Sequence, residues 1–415
     1  MRPEEIMALG ALAGDAVGEV VDQARAMHEE IAQHVFKAVG PGAGPVKFVH
    51  DRVARTAYVA VRGGVVGVVR TGARAASARA PDDAPSIEQS TAGRVVVGAL
   101  NGAIGDTLER RGSPLALTMT LRRLTHEVGT SKQALAKAFP DAASRLAVFV
   151  HGACETDDAW RLGDSRHVPY GFRLQTELGY TPLYIRYNTG RHVSENGREL
   201  AQVLERVSAN WPVHAHEIAL IGHSMGGLVA RSACHYAGQS EWTGKVRHMF
   251  MLGAPHRGAP LERLANVVSS ALALRSETRA LARGLNARSA GIKDLRFGYL
   301  LDEDWLDQDP DAFLRNTGGE IPFPATANHY FVCATLSREP HAPVGRMIGD
   351  LLVLRASAWG GVRRGERMRF PIEHYHHVGP ASHFDLLNHP AIYDQLRRWL
   401  SSRRALPAGT AADRR

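Results

Sequence analysis

An α/β fold with a mainly parallel central sheet is what this sequence predicts. Short apolar runs alternate with helix-spaced stretches from about residue 115 onward, the rhythm of βαβ units. Two of those runs, 146–150 and 218–221, carry no polar residue, as strands covered on both faces require. Each is closed by a glycine, Gly152 or Gly222, where the backbone must turn sharply. A length of 415 residues with 44% hydrophobic and 22% charged residues suffices for one large domain with an accessory region, or for two domains.

Taken in order, residues 16–39 place Val17, Val20, Val21, Ala24, Met27, Ile31 and Val35 on one helical face. The Gly/Pro run 40–45 breaks that helix, and a second is expected over 46–76. In the second, Arg52, Arg55, Arg62, Arg70 and Arg74 form a stripe opposite Val53, Ala57, Ala60 and Val61. Such a helix can lie on an anionic membrane, although a solvated face of a helix packed on the protein is the commoner use of the pattern. Residues 77–93 read as a linker, and Val97, Leu100, Ile104 and Leu108 predict a third helix. Strands are then expected at 115–121, 145–150, 181–187, 218–221, 246–252 and 329–336, with a helix near 195–208. Between 259 and 324 the alternation stops, as expected of a helical lid insertion. The acidic run Asp302, Asp304, Asp307, Asp309 and Asp311 lacks the Ca²⁺-loop glycine and terminal glutamate, so it reads as a solvated loop.

The chemistry centres on Gly222-His223-Ser224-Met225-Gly226, a G-x-S-x-G match. With 41 glycines in the chain the bare pentapeptide would arise by chance about once in five such sequences, so its context decides. An apolar strand directly before it and a helix-compatible stretch directly after it are what a strained serine-bearing turn needs. A serine hydroxyl is a poor nucleophile at neutral pH and requires a base and an acid to orient that base. In the chain order of such sites both follow the serine. His383, in a polar loop ahead of a terminal helix, is the expected base; His376 and His377 fall in an expected strand and His389 at a helix start. Asp350, in apolar surroundings, is the expected acid, with Glu373 and Asp385 as competitors; Glu373 falls in 370–376, read as strand. Two backbone N–H groups must receive the developing oxyanion. Met225, after the serine, and Ala153, in the loop His151-Gly152-Ala153-Cys154, supply them on this reading.

A net charge of +8 invites nucleic acid or an anionic membrane as a partner. Scattered arginines and 7% aromatic residues, with no stacking platform, argue against nucleic acid. Cys154, Cys234 and Cys333 are odd in number and far apart, which fits a reducing compartment and neither a disulfide framework nor a zinc site. Glu4 and Glu5 precede the short apolar run 6–13, unlike a signal peptide, and no run reaches the roughly 18 apolar residues of a membrane span. The expected location is cytoplasmic, with or without peripheral membrane contact.

Five segments resemble those of bacterial α/β-hydrolase esterases and lipases, above all the lipase-like group that includes the GPI inositol-deacylase type. They are Val148-Phe149-Val150-His151-Gly152, the serine motif through Gly227, 252–261, Gly349-Asp350 with Ser357-Ala358, and 382–387. The resemblance covers about residues 115–402 and implies an α/β-hydrolase fold, a Ser224, Asp350, His383 triad, and Met225 and Ala153 as oxyanion donors. Cys154-Glu155 departs from the small residues frequent there. The organisation expected is an N-terminal helical accessory region at 1–112, a catalytic domain at 113–402 with its lid at about 259–324, and a disordered basic tail at 403–415. Cleavage of lipophilic carboxylic esters without metal or cofactor is the function implied. Thioester or amide cleavage and a non-catalytic membrane-associated scaffold are the alternatives.

Overall fold

In the computed structural model the described residues are 1–39, 44–124, 126–161, 167–274, 278–319, 321–337, 350, 352–353, 355–358 and 370–402. Part of the breaker at 40–45 and the whole expected tail at 403–415 lie outside them. Three helices come first, α1 (Pro3–Val39), α2 (Gly44–Ser77) and α3 (Thr91–Arg110). The sheet strands follow as β1 (Thr120–Arg123), β2 (His126–Val128), β3 (Arg145–Val150), β4 (Tyr180–Arg186), β5 (Glu217–His223), β6 (Val246–Leu252), β7 (Asn328–Ala334) and β8 (Tyr375–Val378). Between them run α4 (Lys132–Ala138), α5 (Tyr170–Leu178), α6 (Val193–Asn210) and α7 (Met225–Ala237), then α8 (Pro260–Ala273), α9 (Arg279–Asn286) and α10 (Ala290–Asp294); α11 (Pro390–Ser401) is the last element among the described residues.

Spatial strand order is β2-β1-β4-β3-β5-β6-β7-β8, with β1 antiparallel to both its neighbours and every pairing from β4 to β8 parallel. The central strands obey the two-residue period. Ile218 and Leu220 of β5 face α6 and α7, whereas Ala219 and Ile221 face α5 and α11. Both faces are therefore apolar, which is why β3 and β5 read as uninterrupted hydrophobic runs. Helices α8 to α10 form the insertion between β6 and β7.

Three expectations need correction. Of the run 115–121 only Thr120 and Leu121 are strand, at the start of β1. Asn101 of α3 explains this: its Nδ2 donates to the Leu115 carbonyl at 2.8 Å and its Oδ1 accepts from Leu117 N–H at 2.8 Å, so that segment bonds to a helix instead of a strand. Glu373 lies in a single 3₁₀ turn (Ile372–His374) started by Pro371, ahead of β8. The acidic run is not uniformly solvated. Asp304 is buried and accepts from the N–H groups of Leu300 (2.8 Å), Leu301 (2.9 Å) and Gly319 (2.7 Å), pinning a loop of the insertion.

Helix α3 packs on the sheet domain through glycines one and two turns apart. A Cβ at Gly102 would lie 2.2 Å from Cys154 Sγ and one at Gly105 2.0 Å from Asn188 Oδ1, so only glycine permits this approach. Helices α1 and α2 form an antiparallel hairpin whose base joins α3 through Ala8, Leu9 and Leu12. The arginine stripe of α2 turns toward acidic α1, with Arg62 to Asp22 at 2.8 Å and Arg70 to Asp15 at 2.7 Å. Its apolar side, including Val53, Ala57, Ala60, Val61, Gly64 and Val68, points away and is exposed.

Candidate active site

Strand β5 ends at His223 and α7 begins at Met225, leaving one residue for the reversal. That residue is Ser224, at φ 51° and ψ −123°, a region that costs a non-glycine residue roughly 1–3 kcal/mol and persists only where the surroundings impose it. Packing imposes it here. A Cβ at Gly222 would lie 2.5 Å from Gly227 Cα, and one at Gly226 2.2 Å from the Val150 carbonyl, so strand, turn and helix close on one another only without those side chains.

The loops after β7 and β8 bring the other two candidates together. His383 Nδ1 donates to Asp350 Oδ2 at 2.7 Å, and both side chains are buried. The second carboxylate oxygen accepts from Leu352 N–H (3.1 Å) and Val353 N–H (2.8 Å), and His383 N–H donates to the Asp350 carbonyl at 3.1 Å. Asp350 is thereby fixed at both oxygens. Of the competitors, Asp385 points elsewhere, accepting from Ser382 N–H (2.7 Å) and hydroxyl (2.8 Å), while Glu373 sits in the 3₁₀ turn ahead of β8, its backbone carbonyl accepting from Trp399 Nε1 at 2.9 Å. His389 caps α11, its Nδ1 accepting from Ala391 N–H at 3.2 Å. His383 Nε2 is buried and has no hydrogen-bond partner among the described residues. Ser224 is about nine-tenths buried, and its hydroxyl has no hydrogen-bond partner among the described residues.

Beside Ser224 runs the loop after β3. His151 is a support: Nδ1 donates to the Gly152 carbonyl (3.0 Å), Nε2 accepts from Tyr187 N–H (3.3 Å), and burial pushes the imidazole below its ordinary value, keeping it neutral. Gly152 N–H donates to Glu155 Oε2 at 2.7 Å and Cys154 N–H to Thr189 Oγ1 at 3.1 Å. The N–H groups of Ala153 and Met225 have no protein acceptor among the described residues. Ser357 steadies the loop after β6, its hydroxyl donating to the Gly258 carbonyl (2.8 Å) and accepting from Arg257 N–H (3.0 Å).

The sequence marked Glu155 only as a departure from the resemblance and gave it no role. Burial works to raise its carboxyl, yet the facing His223 imidazole and the Gly152 N–H hold it below the ordinary carboxylate range. Burial likewise opposes charge on His223, and Glu155, 3.1 Å from Nδ1, raises that imidazole above its ordinary value. The signal was the acidic run Glu155-Thr156-Asp157-Asp158 directly after a buried strand. All three acids are spoken for, Asp157 by Arg186 at 2.5 Å and Asp158 by Arg94 and Arg161.

Residues 174–306, about a third of the chain, match the family described as the PGAP1-like alpha/beta domain. The elbow, the mostly parallel sheet and that match agree. The chain has an α/β-hydrolase fold. No curated protein matches it. Among solved structures, this hydrolase fold is similar to the Bacillus licheniformis lipase BlEst2 in its propeptide form, at 20% identity over 64% of this chain and 52% of that one, TM-score 0.42. It spans about half the length of that structure. The mature form of the same lipase gives 19% identity, 61% and 91% coverage and a TM-score of 0.40. Phospholipase PlaB from Legionella pneumophila gives 18% identity, 52% and 46% coverage and a TM-score of 0.30.

Proposed function

We propose that the protein is a serine hydrolase of lipophilic carboxylic esters. The observation that carries this reading is a buried Asp350–His383 pair, whose Nε2 has no partner among the described residues, together with a serine held in the strained turn of a hydrolase elbow. Ser224 Oγ attacks the ester carbonyl while His383 Nε2 takes its proton, and the Ala153 and Met225 N–H groups receive the oxyanion. The proton passes to the departing alcohol and an acyl-enzyme remains. His383 then deprotonates a water that attacks the acyl carbon, and Ser224 leaves with the proton returned by the imidazolium. Asp350 stabilises the imidazolium in both halves without taking a proton. The insertion from α8 to α10 serves as the lid. Incubation with a fluorophosphonate tests the reading: labelling absent in Ser224→Ala supports it, and no labelling of folded wild type overturns it. A series of p-nitrophenyl esters of rising chain length then ranks the acyl preference.

The lipophilic substrate is met, on this proposal, at an anionic membrane surface touched by α2. No described helix is long and apolar enough to cross a membrane. The outward face of α2 exposes Val53, Val61 and Val68 and carries no charge along Ala57, Ala60 and Gly64, while the chain as a whole is strongly basic. Co-sedimentation with phosphatidylglycerol-containing vesicles, lost in Val61→Asp/Val68→Asp, is the expected result. Vesicle-free dimers abolished by the same substitutions, without sedimentation, would assign the face to a second copy.

A further inference from the structure

We infer that Glu155 and His223 form a fixed ion pair that positions the oxyanion loop against the loop carrying His383, an inference that rests on the serine-hydrolase reading. His223 Nδ1 lies 3.1 Å from Glu155 Oε2 and its Nε2 3.1 Å from the His383 carbonyl oxygen. Both partners only accept. A neutral imidazole has one N–H, which would leave a ring lone pair facing an oxygen lone pair at one end, so both nitrogens carry protons. The resulting imidazolium is fully buried, and Glu155 balances its charge. Burial opposes both charges, yet Glu155 is held below and His223 above their ordinary values, which agrees with the pairing. The other ionisable groups near the pair include His151, held neutral, Asp350, the His383 ring, whose centroid lies 4.7 Å from that of His223, and Cys154 and Tyr187, both pushed up by burial and by Glu155 and so uncharged.

The pair reaches the site at two places. Glu155 Oε2 also binds Gly152 N–H at 2.7 Å, which removes that donor from the loop and leaves Ala153 N–H as the one turned to an incoming oxyanion. His223, next in sequence to Ser224, grips the backbone carbonyl of His383, while Asp350 holds its ring. One carboxylate thus sets the distance between the oxyanion donor, the nucleophile and the base. Because Glu155 and His223 touch no reacting atom, they are positioning residues.

The test has two arms on the full chain. In ¹⁵N-histidine-labelled protein near neutral pH, His223, assigned with His223→Asn, should show two ring N–H protons; a single proton on the wild-type ring overturns the inference whether or not any variant folds. In the second arm Glu155→Gln should slow fluorophosphonate labelling and lower kcat for a p-nitrophenyl ester by about 10²-fold with KM little changed, the scale of a small misplacement of reacting groups. Glu155→Gln/His223→Asn removes both charges and serves if the single variant fails to fold; it should show the same loss, and wild-type kcat in either folded variant overturns the inference. An unlabelled wild type would instead sink the serine-hydrolase reading, leaving the proton count to decide the ion pair.

Discussion

Two buried acid–imidazole pairs lie side by side in this molecule, Asp350–His383 and Glu155–His223, and they differ in what the far ring nitrogen meets. For His223 it is a carbonyl oxygen at 3.1 Å; for His383 it meets no partner among the described residues. The acid is equally close in kind, at 2.7 Å in one and 3.1 Å in the other. An imidazole that faces an acceptor at both nitrogens is a fixed charge, whereas one bonded at a single nitrogen can gain and lose a proton at the other. The chemistry of a histidine is therefore decided less by its carboxylate than by the atom opposite.

Breaking the first pair should have the largest effect. Asp350→Asn keeps the shape but removes the acceptor charge, and kcat for a p-nitrophenyl ester should fall about 10⁴-fold with the circular dichroism spectrum unchanged. Glu373→Gln and Asp385→Asn, in the same assay, should lose far less; an inactive, folded Glu373→Gln beside an active Asp350→Asn would move the acid. The second pair is tested by pH. Glu155 is lowered from 4.5, so its contribution to stability is complete above that value and is lost as pH falls through its folded value. His223 is raised from 6.5, so its contribution is complete below 6.5 and lost as pH rises through its folded value. Tm should thus be highest between about pH 4.5 and 6.5 as far as this pair contributes, and the dependence should flatten in Glu155→Gln/His223→Asn.

A third pair separates stability from activity. His192 Nδ1 lies 3.0 Å from buried Asp294, with the ring stacked on Trp305 at 3.6 Å, and Asp294 also accepts from Val193 N–H at 2.8 Å. It lines a cavity of about 250 Å³ that includes none of Ser224, Asp350 or His383. Asp294→Asn should cost about 1–3 kcal/mol of stability in a urea melt and leave kcat within about twofold. The smallest effect belongs to the hairpin: Arg62→Ala breaks an ion pair with Asp22 that is nearly half exposed, and the loss should stay below about 1 kcal/mol.

Much of this comparison was legible in the chain before folding. Ser224 announced itself because an elbow needs two glycines and an apolar strand at fixed spacing, all local features. His383 and Asp350 followed from chain order and from apolar neighbours. Glu155 was illegible because its partner, Gly152 aside, is His223 of β5, 68 residues away, which in turn bonds the His383 loop. The short β2 carries three residues, too few for a periodic signal. The α2 stripe was legible as a pattern and not as a direction, since which side faces α1 depends on where Asp15 and Asp22 fall along a separate helix.

The glycine face of α3 also sets a timetable. Its partners Cys154 and Asn188 are synthesised about fifty and eighty residues after Gly102 and Gly105, and β3 and β4 must pair before either loop takes its place. Until then the first quarter of the polypeptide stands outside the ribosome with the glycine ridge uncovered, while Val97 and Leu108 find their partners within the first 117 residues. In a living cell that interval, rather than the finished fold, is when the molecule is most exposed to aggregation and most dependent on chaperones.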